Sequence, residues 1–105
     1  MLGKLQNEIR DWRRYNFPDS NPMEQYMGIV EELGELSHVM LKEAQGIRDI
    51  GDSEAQAQDA IGDMVIFMIN FCDMNGWDFE KVIATTWEQV AGRDWRNNPK
   101  NGVSE

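Results

Sequence analysis

The sequence predicts an all-α fold, with four helices forming a bundle that is completed by oligomerisation. Apolar residues recur every three or four positions, no segment alternates with period two for long enough to make a strand, and turn formers separate the helical segments. A chain of 105 residues has room for one modest core, and bundles this short often complete their core by oligomerising. We expect one domain over residues 1–96 and a frayed tail over residues 97–105.

The first predicted helix covers residues 2–15. Its apolar residues recur at helical spacing and are Leu2, Leu5, Ile9 and Trp12. The sequence NFPDSNP that follows contains two prolines and several turn formers, which end a helix. This segment therefore predicts a loop before the second helix.

A long second helix is predicted from about Met23 to Gln45. Asn21 is a good N-cap, Pro22 suits the first helical position, and Glu24 stands three residues after the cap. The apolar stripe of this helix consists of Val30, Leu33, Leu36, Met40, Leu41 and Ala44. The segment GIRDIGD then predicts a short connection.

Two further helices follow. Ser53 and Gln56 resemble a capping box that starts the third helix, and the pair Asn75–Gly76 is a natural end for it. Asp78 is placed to cap a fourth helix, which should end near Arg93. The apolar residues of this last helix are Phe79, Val82, Ile83, Thr86 and Val90.

The composition excludes several classes of protein. The formal net charge is −9, with 19 acidic and 10 basic residues, and binding to a nucleic acid polymer depends on an excess of Lys and Arg. The N-terminal residues are amphipathic and charged, and the longest apolar run is too short to cross a bilayer, so we expect neither a secretory signal nor a membrane anchor. A single cysteine, Cys72, favours a cytoplasmic location.

The second helix carries a cluster of acids in the sequence EELGE. At roughly 100° per residue, Glu31, Glu32 and Glu35 fall within an arc of about 100° on one face. This face lies almost opposite the apolar stripe. Taken alone, the cluster is typical of a solvated acidic face.

The third helix gives this cluster a possible counterpart. Residues 58–72, QDAIGDMVIFMINFC, are apolar on nearly every side, which is typical of a buried helix. Nevertheless Asp59, Asp63 and Asn70 fall on one line, within roughly 40° of each other. Buried polar groups need partners, and the helices offer few basic residues but several glutamates.

Carboxylates facing each other across two helices favour a divalent cation. Like-charged carboxylates at close range do not all remain ionised without a compensating charge. Oxygen ligands without His or Cys suit Mg²⁺, with Mn²⁺ as a substitute, rather than zinc. The sequence therefore predicts a metal site between the second and third helices.

The pattern of these acids resembles the MazG-like all-α nucleoside triphosphate pyrophosphohydrolases. Their signature is EExxE on one helix followed, after a spacer, by ExxD on the next. EELGE matches the first half in full, and Asp63 matches the final Asp. Where the family has Glu three residues earlier, this chain has Ala60, with an acid one position before it at Asp59. The resemblance extends from Trp12 and the NFP sequence to the RDW near the end of the fourth helix.

The resemblance implies a role for each acid. Glu32, Glu35 and Asp63 would bind Mg²⁺, and Glu31 would be a further ligand or would orient the attacking water. Asp59 would be the fourth carboxylate. The reaction would be attack of water on the α-phosphorus of a (deoxy)nucleoside triphosphate, giving a monophosphate and pyrophosphate in a nucleotide-pool cleaning role.

The resemblance also implies contacts with the substrate and with further copies of the chain. Basic residues near the end of the fourth helix would contact phosphates, while aromatic and amide side chains would bind the base. The candidates are Arg93 and Arg96 for the phosphates and Asn70, Phe67 and Trp12 for the base. The family forms homodimers or homotetramers around a shared helical core.

Two other interpretations of the sequence stay open. The chain could be a non-catalytic helical interaction module or a degenerate relative in which Ala60 abolishes turnover. It could also be a structural helical oligomer with a solvated acidic face, although that hypothesis leaves Asp63 and Asn70 without an explanation.

Overall fold

The computed structural model describes residues 1–46 and 49–104, and these residues form four helices and no strand. The helices are α1 (Leu2–Asn16), α2 (Pro22–Gln45), α3 (Ser53–Met74) and α4 (Phe79–Ala91). The predicted all-α class with four helices is therefore confirmed. Each helix end lies within about two residues of its predicted position. Part of the predicted GIRDIGD connection, residues 47 and 48, lies outside the described residues, as does residue 105 of the predicted tail.

Side-chain caps fix where three of the helices start. The Asn21 Oδ1 atom accepts a hydrogen bond of 2.9 Å from the backbone N–H of Glu24 at the start of α2. The Asp78 Oδ1 atom accepts one of 3.0 Å from the Lys81 N–H at the start of α4. At α3 the prediction was wrong by one residue, because Asp52 rather than Ser53 is the cap and its Oδ1 atom accepts a 3.0 Å bond from the Ala55 N–H.

The longest helices, α2 and α3, pack along each other, but not through the predicted apolar stripe of α2. The side of α2 that faces α3 carries Gln25, Gly28, Glu32 and Val39, which lie within about 60° of one another around the helix. The predicted stripe stays largely exposed, with 52% of Leu33 accessible. The glutamate side of α2 thus packs at the helix interface, and the apolar stripe remains largely exposed.

A buried polar network joins α1 to the end of α3 and the start of α4. Gln6 donates from Nε2 to the Trp77 carbonyl oxygen at 3.0 Å and to Asp73 Oδ1 at 3.2 Å, and its Oε1 accepts from the Phe79 N–H at 2.8 Å. Beside it, Arg13 pairs with Asp73 at 3.0 Å. These bonds satisfy backbone groups at the turn between α3 and α4.

The hydrophobic core is small and the molecule is open. The core is formed by Ile69, Cys72 and Phe79, with Leu2, Ile9, Val65 and Met68 packed against it. Every residue of α4 after Phe79 is exposed, including the predicted apolar residues Val82, Ile83, Thr86 and Val90. The radius of gyration is 17.6 Å, against roughly 13 Å for a compact domain of this length. None of the described helices is long and apolar enough to cross a membrane.

The residues after α4 form hydrogen-bonded turns, although most of them belong to the segment that the sequence predicts to be frayed. The Asp94 N–H donates to the Gly102 carbonyl oxygen at 2.9 Å, and the Gly102 N–H donates to that of Asn98 at 2.8 Å. Gly102 has a φ of 75° and is buried against Trp95 and Arg93. A glycine suits this position because its φ is positive.

Candidate functional site

An acidic cavity of about 370 Å³ lies between α2 and α3. Among the described residues, those that line it include no lysine or arginine; they are Glu32, Glu35, Val39, Gln56, Asp59, Ala60 and Asp63. The structure therefore brings four of the candidate carboxylates together on one cavity. We call it the acidic cavity below.

The carboxylates of the acidic cavity interact electrostatically. Burial raises the pKa of Glu32 above its ordinary value, and the negative charges of Asp63, Glu31, Glu35 and Asp59 raise this pKa further. Glu31 is exposed and does not line the cavity, but it is close enough to act on Glu32. The five acids thus form one cluster whose repulsion is not offset by a basic residue in the described lining.

The types of side chain in the acidic cavity suit a divalent cation better than their arrangement does. Carboxylate oxygens are the ligands that Mg²⁺ and Mn²⁺ prefer. However, no group of three or more Asp, Glu, His or Cys residues is arranged to hold a metal ion in the part of the chain that the structure describes.

Ala60 occupies the wall of the acidic cavity. Only 3% of its surface is exposed, and it lies among the carboxylates of both helices. It stands where the EExxE–ExxD signature has Glu. Asp59, one residue earlier, also lines the cavity, so the adjacent carboxylate is present although the signature position is not acidic.

A second, partly open cavity of about 500 Å³ adjoins the first and lies between α1, α2 and α3. Its lining is mostly apolar with a few polar side chains, and consists of Leu5, Glu8, Ile9, Trp12, Arg13, Phe17, Gln25, Asp63, Ile66, Phe67 and Asn70. Asp63 lines both cavities. A mainly apolar pocket with a few convergent polar groups is typical of a small-molecule site. We call it the aromatic cavity below.

The aromatic side chains of this cavity come from α1, the loop after it, and α3. Trp12 packs edge-on against Phe17, with 5.7 Å between the ring centroids. Phe67 lies against the backbone of α2, because Gly28 has no side chain there. The predicted base-binding residues Trp12, Phe67 and Asn70 therefore line one cavity.

Substituting Gly28 by Ala is expected to displace the Phe67 ring. A Cβ atom at residue 28 would overlap the ring, so we expect a loss of about 1–3 kcal/mol of unfolding free energy from overpacking, measured by urea denaturation. Gly34→Ala on the same helix is the control. No atom lies within 4 Å of a Cβ there, and Ala should stabilise that position by about 0.5–1 kcal/mol. Equal effects of the two substitutions would contradict this packing.

Asn70 is bound to an arginine that sequence analysis did not single out. Arg13 donates from Nη1 to Asn70 Oδ1 at 2.8 Å and from Nη2 to Asp73 Oδ2 at 3.0 Å. Only 5% of Arg13 is exposed. The partner of Asn70 is therefore a basic residue on α1, whereas the sequence analysis considered Asn70 only as a base-binding residue. The available signal was the shared face of Leu2, Gln6, Ile9 and Arg13 on α1.

Gln25 is a second site residue that sequence analysis missed. It is buried, lines the aromatic cavity and faces α3 from α2. Its position three residues before Gly28 and seven before Glu32 is a helical repeat that could have identified it.

The two predicted phosphate-binding arginines lie apart from both cavities. Arg93 follows α4, and its guanidinium donates to the Asn101 carbonyl oxygen and lies 5.9 Å from the centroid of the Trp95 ring. Arg96 is exposed in the turns that follow. Neither residue lines the acidic or the aromatic cavity.

Comparisons with known proteins give no further indication of function. No protein-family model matches the chain, and no curated protein and no solved structure is significantly similar to it.

Proposed function

We propose that this chain is a Mg²⁺-dependent nucleotide pyrophosphohydrolase that converts a (deoxy)nucleoside triphosphate to the monophosphate and pyrophosphate. The observation that carries the proposal is the junction of two cavities at Asp63, one lined by carboxylates and one by aromatic and amide side chains. The base would bind in the aromatic cavity and the triphosphate would extend past Asp63 to the acidic cavity. The resemblance of EELGE and Asp63 to the MazG-like signature supports the same reaction.

The acidic cavity would hold the metal through Glu32, Glu35, Asp59 and Asp63. Bound Mg²⁺ would neutralise charge on the triphosphate and activate water for attack. Glu31, at the exposed side of the cluster, would orient the attacking water. The new bond joins the water oxygen to the α-phosphorus, the bond from that phosphorus to the bridging oxygen breaks, pyrophosphate leaves, and the proton lost by the water passes to solvent. A cation between protein and substrate explains how a chain of charge −9 binds a polyanion.

The aromatic cavity would orient the nucleotide. Phe67 and Trp12 provide flat surfaces for stacking on a base. Asn70 provides an amide that forms hydrogen bonds with a base edge. Arg93 and Arg96 lie apart from both cavities of their own chain. They would therefore contact the phosphates of a nucleotide bound to a neighbouring copy of the chain.

We also propose that the protein is a homo-oligomer, with a second copy covering the exposed apolar faces of α2 and α4. These faces comprise Val30, Leu33, Met40 and Leu41 on α2 and Val82, Ile83, Trp87 and Val90 on α4. Apolar surface of this extent is typical of an interface, and the small core and large radius of gyration indicate an incomplete bundle. Analytical ultracentrifugation should give a molecular mass of at least two chains of 12.1 kDa each. A monomer at micromolar concentration would contradict this proposal.

Pyrophosphate release from a panel of nucleoside triphosphates tests the proposed reaction. We expect release with Mg²⁺ for at least one nucleotide, none in EDTA, and a higher melting temperature on addition of Mg²⁺ or Mn²⁺ because ligands of the folded state stabilise it. Loss of activity on chelation should be reversed by Mg²⁺. The proposal fails if no nucleotide is hydrolysed and neither cation changes the melting temperature.

The alternative function is a non-catalytic helical interaction module. Two observations favour it: Ala60 in the wall of the acidic cavity, and the exposed apolar faces of α2 and α4. In that case the protein would assemble with other chains but release no pyrophosphate. The nucleotide panel therefore separates the two functions.

A further inference from the structure

Gln25 has a buried amide oxygen without a partner in the structure. Only 6% of the residue is exposed, and among the described residues no donor forms a hydrogen bond with Oε1. Gln25 belongs to the lining of the aromatic cavity. Buried polar atoms are nearly always paired, and leaving one unpaired is costly. Because Oε1 itself has almost no accessible surface, the Gln25 amide has to rotate toward the cavity before a ligand there can supply the missing donor.

Asn70 carries the opposite kind of group and lines the same cavity. It is 3% exposed, and its Oδ1 atom accepts the 2.8 Å bond from Arg13 Nη1. A guanidinium has only donors, so Arg13 determines which end of the amide is the oxygen. The pairing of Arg13 with Asp73 holds that guanidinium in place. The NH₂ group of Asn70 is consequently the end that is not engaged by Arg13.

We propose that Gln25 and Asn70 together recognise the hydrogen-bonding edge of a nucleobase in the aromatic cavity. Gln25 Oε1 accepts a hydrogen bond from a ring N–H or amino group, and the Asn70 NH₂ group donates to the neighbouring ring nitrogen or carbonyl oxygen. The ligand class is a nucleoside whose base carries a donor beside an acceptor. This inference deepens the proposed function and rests on it, because it assigns the base of the proposed substrate to these two amides.

The cost of an unpaired Gln25 makes this site selective for ligands with a donor. A flat base without a donor would stack on Phe67 and Trp12 but would leave the Gln25 oxygen buried and unpaired. Sites built to bind a ligand N–H favour ligands that have it, because here only such a ligand would give the buried Gln25 oxygen a partner. Selectivity should therefore depend on the edge of the base rather than on its size.

Nucleoside binding in EDTA tests this inference without the metal and without hydrolysis. The probes are the four standard 2′-deoxynucleosides and the indole 2′-deoxynucleoside, which is flat but has no hydrogen-bonding edge. Isothermal titration calorimetry with the full chain should show that at least one standard nucleoside binds roughly tenfold more tightly than the indole nucleoside. Equal affinities would overturn the inference, and this comparison needs no substitution.

Gln25→Met gives the second readout, with Gln58→Met on the exposed side of α3 as the matched control. We expect Gln25→Met to remove most of the preference for the standard nucleoside while binding of the indole nucleoside is retained. The melting temperature of the ligand-free variant should equal or exceed that of the wild type, because an unpaired buried amide has been removed. A lower melting temperature with an unchanged preference would assign Gln25 a structural role and overturn the inference.

The outcomes also separate this inference from the proposed function. Selective nucleoside binding without pyrophosphate release would support the inferred base-binding site and reject the proposed hydrolysis. Pyrophosphate release by the protein, with the same base preference in the wild type and in Gln25→Met, would support the proposed hydrolysis and reject the inferred base-binding site.

Discussion

Asp63→Asn is expected to reduce pyrophosphate release by at least about 100-fold, since the metal and the developing charge would lose a carboxylate worth several kcal/mol. Among the residues that the structure describes, Asp63 alone lines both cavities, so the substitution acts where base and phosphates would meet. Glu35→Gln should have the same effect from α2. Initial rates of pyrophosphate release at saturating nucleotide measure both variants.

The same substitution should not destabilise the protein. In the absence of metal, Asp63 repels Glu32 and raises its pKa, so removing one charge relieves repulsion. We expect an equal or higher melting temperature in EDTA and unchanged helix content by circular dichroism. Glu43→Gln is the control, because it removes one charge from an exposed position of α2 that lines neither cavity. A loss of helix content in Asp63→Asn, or activity like that of the control, would contradict the catalytic assignment.

Arg13→Met is expected to destabilise the protein by about 3–5 kcal/mol, a large part of the stability of a small domain. The side chains of Arg13 and Asp73 are 6% and 11% exposed, and their pair is 3.0 Å long. Removing the cation leaves the Asp73 carboxylate buried without its charge partner and also removes the donor to Asn70. Urea denaturation at one protein concentration measures the change.

A double substitution shows whether the uncompensated charge causes this loss. Arg13→Met with Asp73→Asn should be more stable than Arg13→Met alone, since the amide oxygen still accepts from Gln6 and no charge remains buried. Arg10→Met is the control for a surface pair. Arg10 and Asp11 are 3.2 Å apart, but the Asp11 side chain is 70% exposed, so the loss should be about 0–1 kcal/mol. Similar losses for Arg13→Met and Arg10→Met would contradict the buried network.

The positions of the helices could be predicted because their signals are local. The caps at Asn21 and Asp78 and the helical spacing of apolar residues each lie within a few residues of the structure that they determine. The shift of the third cap from Ser53 to Asp52 is a choice between two adjacent capping residues. Propensity alone does not resolve such a choice, because both residues are good N-caps.

The choice of buried face could not be predicted from local pattern. On α2 the most apolar stripe remains exposed, and the side with Gln25, Gly28 and Glu32 packs on α3. Which face of a helix is buried depends on the surfaces of the other helices. The apolar stripe of α2 and the face of α2 that packs on α3 are two different faces. A surface left for another copy of the chain gives the same periodicity as a core within one chain.

In the candidate site, too, some residues could be predicted from the sequence and others could not. Acids in EELGE and on α3 meet in one cavity, as their angular positions around two adjacent helices indicated. Buried polar residues were harder to identify, because Gln6, Arg13 and Gln25 are of types that are mostly exposed on helices. Their burial depends on partners far away in sequence, such as the pairing of Arg13 with Asp73.

The identity of the reaction products tests the central proposal most directly. Phosphorus NMR of a nucleoside triphosphate incubated with the protein and Mg²⁺ should show the monophosphate and pyrophosphate appearing together in equal amounts, with Asp63→Asn inactive under the same conditions. The appearance of a diphosphate and inorganic phosphate, or no turnover of any nucleotide in the panel, would contradict the account.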